Sequence, residues 1–325
     1  MRAIVIQQFG GAEQLVFKDL PKPQAKSGEV VIRVKAFGLN RAELSMRNGT
    51  WGEVAPVSGI ECVGVVESDP DRHFVPGQQV AALMGGMGRS INGSYAEYTC
   101  LPATNVVALN STLSWQDLAA LPESYATAWS CLYDNLAIQA GQLILIRGAA
   151  SALGQAAMNI AAHAGLTVLA TTRSAGKIER LKALGASDVL QDSATLSQQL
   201  RERYPSGVDA VLDIVGNSSI LDSLKAIRRN GRACLAGFLG GPQAIPAFNP
   251  LQDMPSGVHL SFFASFMLGS KQYPLSRIPF QTIADRAAAG LYQAKPVHVH
   301  AFDAIQDAHR LMETNGAGGK QVILL

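Results

Sequence analysis

Hydrophobic positions in the first hundred residues fall in short runs broken by turn residues. Ala3-Ile4-Val5-Ile6 is strand-like and Val30-Val31-Ile32-Arg33-Val34 alternates loosely. Residues 59–66 are apolar with glycine, and Pro76-Gly77 marks a turn before Gln79-Val80-Ala81-Ala82. This pattern predicts a β-rich opening. Around Leu118 the period changes: residues 118–136 carry apolar side chains at helical spacing and lead to Gly141 and the apolar strand Leu143-Ile144-Leu145-Ile146. Beyond it strands and helices alternate. Helices are predicted over 152–164, 175–184, 195–203 and 219–229, and strands over 167–171, 188–190, 208–214 and 232–236. Repeated βα units of this length specify an α/β region with a parallel sheet covered on both faces. Residues 257–265 read as one more apolar strand, and from Pro296 the pattern returns to strand, helix, strand.

The final strand of such a sheet, around 258–263, is an aggregation risk unless another chain pairs with it. A homodimer joined sheet to sheet near 258–265 is therefore expected, with a helix over that edge as the other arrangement.

Composition changes the picture in two respects. A chain of 325 residues, 48% hydrophobic and 16% charged, buries enough for two domains. Its 27 basic residues are dispersed among 25 acidic ones, for a formal net charge of +2, so nucleic acid is not an expected partner. No apolar run approaches the roughly 20 residues of a membrane span. Met1-Arg2 leads straight into strand-like sequence, without the apolar core and cleavage site of a signal peptide. Cys62, Cys100, Cys131 and Cys234 are widely spaced and suggest neither a disulfide frame nor a zinc knuckle, so a reducing, cytoplasmic setting is expected.

After the strand at 143–146 comes Arg147-Gly148-Ala149-Ala150-Ser151-Ala152-Leu153-Gly154, opening a helix where a parallel sheet binds dinucleotides. A tight turn at Gly148, small side chains at Ala150 and Ser151, and a close helix contact at Gly154 would let backbone N–H groups meet a pyrophosphate. The full three-glycine pattern is missing, and an ordinary strand-to-helix turn has a similar composition. The end of the next strand bears on the choice of cofactor. No Asp or Glu occurs from Ala149 through Lys177, whereas Arg173 and Lys177 follow Thr171-Thr172. An acidic residue there would bond the ribose 2′-hydroxyl of NAD; a basic pair suits the 2′-phosphate of NADPH, although two solvated charges fit the same residues. Val215-Gly216 and Gly237-Phe238 close later strands and permit backbone approach to a flat ring, or make plain turns.

Gly38-Leu39-Asn40, Arg47-Asn48-Gly49-Thr50-Trp51, the run from Ser58 to Val66, the Gly148 to Gly154 loop, Asp213 to Gly216 and Gly319-Lys320-Gln321-Val322 together resemble the zinc-free quinone oxidoreductases related to ζ-crystallin. That branch belongs to the medium-chain dehydrogenase/reductase superfamily, and the resemblance runs over essentially the whole chain. It implies a GroES-like β-rich catalytic domain from 1–122 and 266–325, around a Rossmann NADPH-binding domain at 123–265, with the active site in the cleft between them. It also implies that Asn40 is the active-site asparagine, that Glu61 lies by the cleft and that Lys177 meets the cofactor phosphate. Leu153, Phe263 and Lys320 are further cofactor contacts on this reading.

Zinc-dependent alcohol dehydrogenases share that fold, but this chain has Asn40 and Ile60 where they carry Cys and His, and only Cys100 near their four-cysteine lobe. Three nitrogen or sulfur ligands cannot be assembled, and His298 with His300 lack a third. Where the quinone reductases have tyrosines this chain has Ser45 and Trp51. Without a metal, the candidates to stabilise charge on an acceptor are Asn40 as amide donor, Trp51 as wall or donor, and Tyr125. Asn40 also fits a turn residue and Tyr125 a core aromatic. The implied activity is reduction of a quinone; the alternatives are reduction of the carbon–carbon double bond of an enone or enoyl thioester, or a crystallin-like protein that binds NADPH without turnover.

Overall fold

The computed structural model describes residues 1–314 and 316–325. Two compact units emerge, one made of Met1–Ala126 and Ser265–Leu325, the other of Thr127–Ala264.

The first unit opens with the antiparallel pair β1 (Arg2–Ile6) and β2 (Leu15–Asp19). Then follow β3 (Glu29–Leu39), β4 (Glu61–Ser68), β5 (Gln79–Leu83), β6 (Tyr98–Pro102) and β7 (Val106–Ala108). The second unit contributes β8 (Leu143–Arg147), β9 (Thr167–Thr172), β10 (Asp188–Gln191), β11 (Val208–Asp213), β12 (Ile227–Leu235) and β13 (His259–Phe262). The chain then returns to the first unit with β14 (His298–Ala301), the helix Ile305–Glu313 and β15 (Gln321–Leu324).

In the first unit the order β14-β15-β3-β4-β5-β7 makes one sheet, with β6 also paired to β3. Only the β14–β15 pair in it is parallel; the others run antiparallel. The long β3 is the axis of this unit, because its buried Val30, Ile32 and Phe37 enter one core with Ile4, Leu15, Tyr95 and Ile305. Phe37 stacks on Tyr95 with ring centroids 4.7 Å apart.

The second unit is a doubly wound parallel sheet in the order β10-β9-β8-β11-β12-β13. Its β8, β9 and β11 lie inside the sheet, and their buried centres are Val, Ile, Leu and Ala, with polar residues gathered toward the strand ends. The order reverses at β8, and the helix Ala152–His163 follows that strand at the switch point where such sheets take ligands.

Two segments differ from the periodicity. The helix predicted over 219–229 ends at Lys225, and β12 begins at Ile227. Ile227 already pairs with Val208, and Asn230 takes a left-handed φ of 63°, which no α-helix accommodates. The register shifts before pairing resumes at Arg232 with Ala210, so the polar run Arg228-Arg229-Asn230 is a bulge in a strand. The apolar stretch 118–136 breaks into Trp115–Leu118, Pro122–Trp129 and a wider π-type turn at Ser130–Asn135. Pro122 starts a new helix because it has no N–H to continue an old one.

At the edge of the second sheet β13 leaves Leu260 and Phe262 exposed, and Phe238 lies 6.1 Å from Phe262 between ring centroids. Among the described residues no helix is long and apolar enough to cross a membrane.

Candidate active site

In the second unit the turn after β8 is built by Gly148 and Ser151. Gly148 has φ +84°, a conformation that a side chain would strain. The Ser151 hydroxyl donates to the Gly148 carbonyl at 2.8 Å and accepts from the Gly154 N–H at 3.1 Å, capping the helix Ala152–His163. A Cβ on Gly154 would lie 2.6 Å from both the Ala149 Cα and the Gly148 oxygen, so helix and turn touch only because that residue is glycine. The Gly148 N–H donates to the Thr171 hydroxyl at 3.2 Å, which ties the turn to the end of β9. Ala150, Ser151 and Leu153 are partly exposed on this turn. Such a cradle fits the diphosphate of a dinucleotide at a helix N-terminus.

Beyond β9, Arg173 is exposed and Lys177 half-buried in the short turn Ala175–Lys177. Val215 and Gly216 follow β11, where both N–H groups donate to Asp213 Oδ1 at 2.9 Å. Burial pushes the Asp213 carboxyl up, and the serines and amides around it act against that. A Cβ on Gly216 would strike the Gly237 carbonyl, and one on Gly237 would lie 2.7 Å from the Ile214 oxygen. These glycines thus let two loops of the sheet's carboxyl end pack backbone to backbone. Phe238 is exposed, whereas Phe263 is buried with its N–H on the Leu235 carbonyl at 3.0 Å.

In the first unit the structure gathers Asn40, Glu43, Glu61 and Lys320. Asn40 precedes the helix Arg41–Arg47, its N–H donating to the Glu43 carboxyl, whose other oxygen accepts from the Ile60 N–H at 3.2 Å. The Asn40 Nδ2 donates to Glu61 Oε1 at 2.8 Å, and Lys320 Nζ donates to Asn40 Oδ1 at 2.6 Å. Lys320 also pairs with Glu61, whose second oxygen accepts from the Glu123 N–H at 2.7 Å. An ammonium has only donors and a carboxylate only acceptors, so the orientation of the Asn40 carboxamide is forced. One Nδ2 hydrogen remains for another acceptor. Gly38 leaves the room this needs, since a Cβ there would strike Glu61 and Lys320.

Glu43 and Glu61 are buried and Lys320 nearly so. Burial pushes the Glu43 carboxyl up to about 8, against the pull of the Asn40 amide and Lys320. It is therefore mostly protonated at neutral pH, which leaves Glu61 as the charge that Lys320 balances. Of the other candidates, Tyr125 is buried and stacks on Tyr292 with ring centroids 5.5 Å apart. Trp51 is half-buried beyond the end of the Asn40 helix, its N–H on the Ser45 carbonyl at 3.1 Å.

Sequence reasoning missed what anchors that helix. Arg47 is buried, paired with Glu313, and its NH1 donates to His309 Nδ1 at 3.2 Å. The proton of this imidazole therefore sits on Nε2, which faces the Tyr95 hydroxyl at 2.9 Å. Burial and the Arg47 charge hold His309 down to about 3. No local signal marks the group, because its members come from three separate segments.

The donor set does not suit zinc. Ile60 is apolar and buried, Asn40 is committed to Glu61 and Lys320, and burial keeps the Cys62 thiol far above its ordinary range. Among the described residues no three His, Cys, Asp or Glu side chains converge to hold a metal; His300 instead faces Gln321 Oε1 at 2.8 Å.

With this geometry in view, known proteins give a consistent picture. Residues 152–276 match the zinc-binding dehydrogenase family and residues 26–111 the alcohol dehydrogenase GroES-like domain. The chain is similar to the quinone oxidoreductase of Homo sapiens, 28% identical over 341 residues, covering 100% of this chain and 98% of that protein. A solved quinone oxidoreductase from Pseudomonas syringae pv. tomato superposes with a TM-score of 0.86 at 25% identity, covering 100% of this chain and 99% of that one. An NAD-dependent alcohol dehydrogenase structure gives a TM-score of 0.86 at 28% identity, with both chains covered at 100%.

Proposed function

For a chain that belongs to the medium-chain dehydrogenase/reductase superfamily, in its quinone oxidoreductase branch, we propose reduction of a quinone by NADPH without zinc. The protein is a nicotinamide-dependent oxidoreductase. The observation that carries the NADPH assignment is the end of β9, where the turn continues into exposed Arg173 and half-buried Lys177. Arg offers a fork and Lys a point charge to a 2′-phosphate.

When bound, NADPH supplies the hydride. The chain's own part is to hold and to polarise. The Gly148–Ser151 turn and the first turn of Ala152–His163 take the diphosphate, and the Gly216 and Gly237 loops offer backbone to the flat ring. Asn40 presents its unused Nδ2 hydrogen to the acceptor oxygen as negative charge grows there. The ammonium of Lys320 spends two of its three protons on Asn40 and Glu61, leaving the third for the cofactor. Trp51 provides a flat wall, and solvent protonates the hydroquinone.

The test is the loss of reduced-nicotinamide absorbance with NADPH and NADH separately, with a chelator present, against benzoquinone, phenanthrenequinone and a short enone. Turnover selective for NADPH and for quinones is the expected result; preference for the enone replaces the quinone assignment with double-bond reduction. A homodimer paired along β13 is part of the same proposal, since Leu260 and Phe262 are exposed at that edge. Light scattering should give twice the chain mass, falling to one chain in Leu260→Lys/Phe262→Lys.

A further inference from the structure

Arg147 closes β8 directly before Gly148 and is 2% exposed. Its Nε and NH2 reach Asp192 Oδ1 at 2.9 and 2.8 Å, and NH2 also donates to the Ser193 carbonyl at 2.5 Å. Its NH1 faces Asp222 Oδ2 at 2.9 Å, the Ser223 hydroxyl at 3.1 Å and the Ser219 carbonyl at 3.2 Å. Ser223 in turn donates to Asp213 Oδ2 at 2.6 Å. One buried guanidinium thus pairs with carboxylates from two places along the chain and reaches a third, Asp213, through Ser223.

Asp192 matters most, because of where it stands. Gln191 pairs with Thr172 in the parallel ladder, and the Asp192 N–H donates to the Thr172 carbonyl at 2.9 Å. The Thr171 hydroxyl accepts from Gly148 N–H and donates to Asp192 Oδ2 at 3.4 Å. Although residues 149–177 hold no acid, the next strand therefore brings a carboxylate to the end of β9. An unbalanced carboxylate at that end of a dinucleotide-binding sheet favours a ribose hydroxyl and repels a 2′-phosphate.

We infer that Arg147 is a specificity-determining residue: by neutralising Asp192 it keeps the end of β9 open to a 2′-phosphorylated nucleotide. Through Asp192 and Thr171 it also steadies the Gly148 amide. This deepens the NADPH assignment and rests on it. Arg147 acts through Asp192 and is a positioning residue rather than a cofactor contact.

The experiment measures dissociation constants for NADPH and NADH by nucleotide fluorescence on the full chain, with thermal unfolding of each variant alongside. Arg147→Gln should weaken NADPH about tenfold or more and NADH less than about threefold. Adding Asp192→Asn to it should recover most of the NADPH loss. Equal weakening of both nucleotides, or no recovery in the double variant, overturns the inference and leaves Arg147 a structural pin. If Arg147→Gln does not fold, Asp192→Asn alone decides: the ratio should move about threefold toward NADPH, and an unchanged ratio overturns the inference. A wild-type chain that binds both nucleotides equally removes the NADPH assignment, while the shift of the ratio between variants still decides the role of Arg147.

Discussion

Each unit buries a cluster of charge beside its candidate chemistry, and the two clusters are balanced in different ways. In the first, a lysine meets Glu61 and Asn40, and the second carboxyl, Glu43, stays protonated. In the second, an arginine spreads its fork over Asp192 and Asp222, and serines bridge to Asp213. Lysine is a point charge that satisfies a few close partners; guanidinium distributes hydrogen bonds over many. The lysine cluster should therefore be brittle, and the arginine cluster should yield in smaller steps.

The largest effect is expected at the brittle end. Lys320→Met strands the buried Glu61 and should cost about 3–5 kcal/mol in chemical denaturation, with Glu61→Gln in the same chain restoring most of it. A loss under about 1 kcal/mol would break the contrast between the clusters. Arg173→Glu with Lys177→Glu comes next, and should weaken NADPH about tenfold or more relative to NADH in direct binding. Equal weakening of both would end the 2′-phosphate assignment. In the arginine cluster Asp222→Asn removes one of several partners and should cost only about 1 kcal/mol, read in the same denaturation assay.

A further test comes from pH. The folded Glu43 carboxyl is raised from 4.5 to about 8, so its stabilising contribution is whole below the unfolded value and is lost as pH rises through that window. His309 is lowered from 6.5 to about 3, so its contribution is whole above the unfolded value and is lost as pH falls toward the folded one. Denaturation midpoints across pH should show both slopes. Glu43→Gln should flatten the alkaline one only.

How much of this was legible follows from the range of each signal. The βα alternation reads directly, because a strand buried on both faces and a helix with one apolar face have different local periods. Gly148 and Gly154 were legible too, since a turn and a close contact limit residue size locally. The stretch 219–229 misled because the run after Ala226 looks helical by composition, while its true partner, Val208, lies in another strand. Tyr125 could be read as a polar residue of the site or as a core aromatic from sequence; the structure puts it against Tyr292.

The buried ion pairs were not legible at all. Lys320 and Glu61 are 259 positions apart, and Arg147 lies 45 and 75 positions from Asp192 and Asp222. The sequence alone determined the order of elements, the parallel sheet, the glycine turn and the basic pair after β9, all of which depend on backbone conformation and side-chain size within a few residues. Only the tertiary structure decided which charges are buried, which partners balance them and that the Asp192 carboxylate, just after β10, reaches the end of β9. Burial acts through solvent exclusion by distant segments, and no local pattern records it.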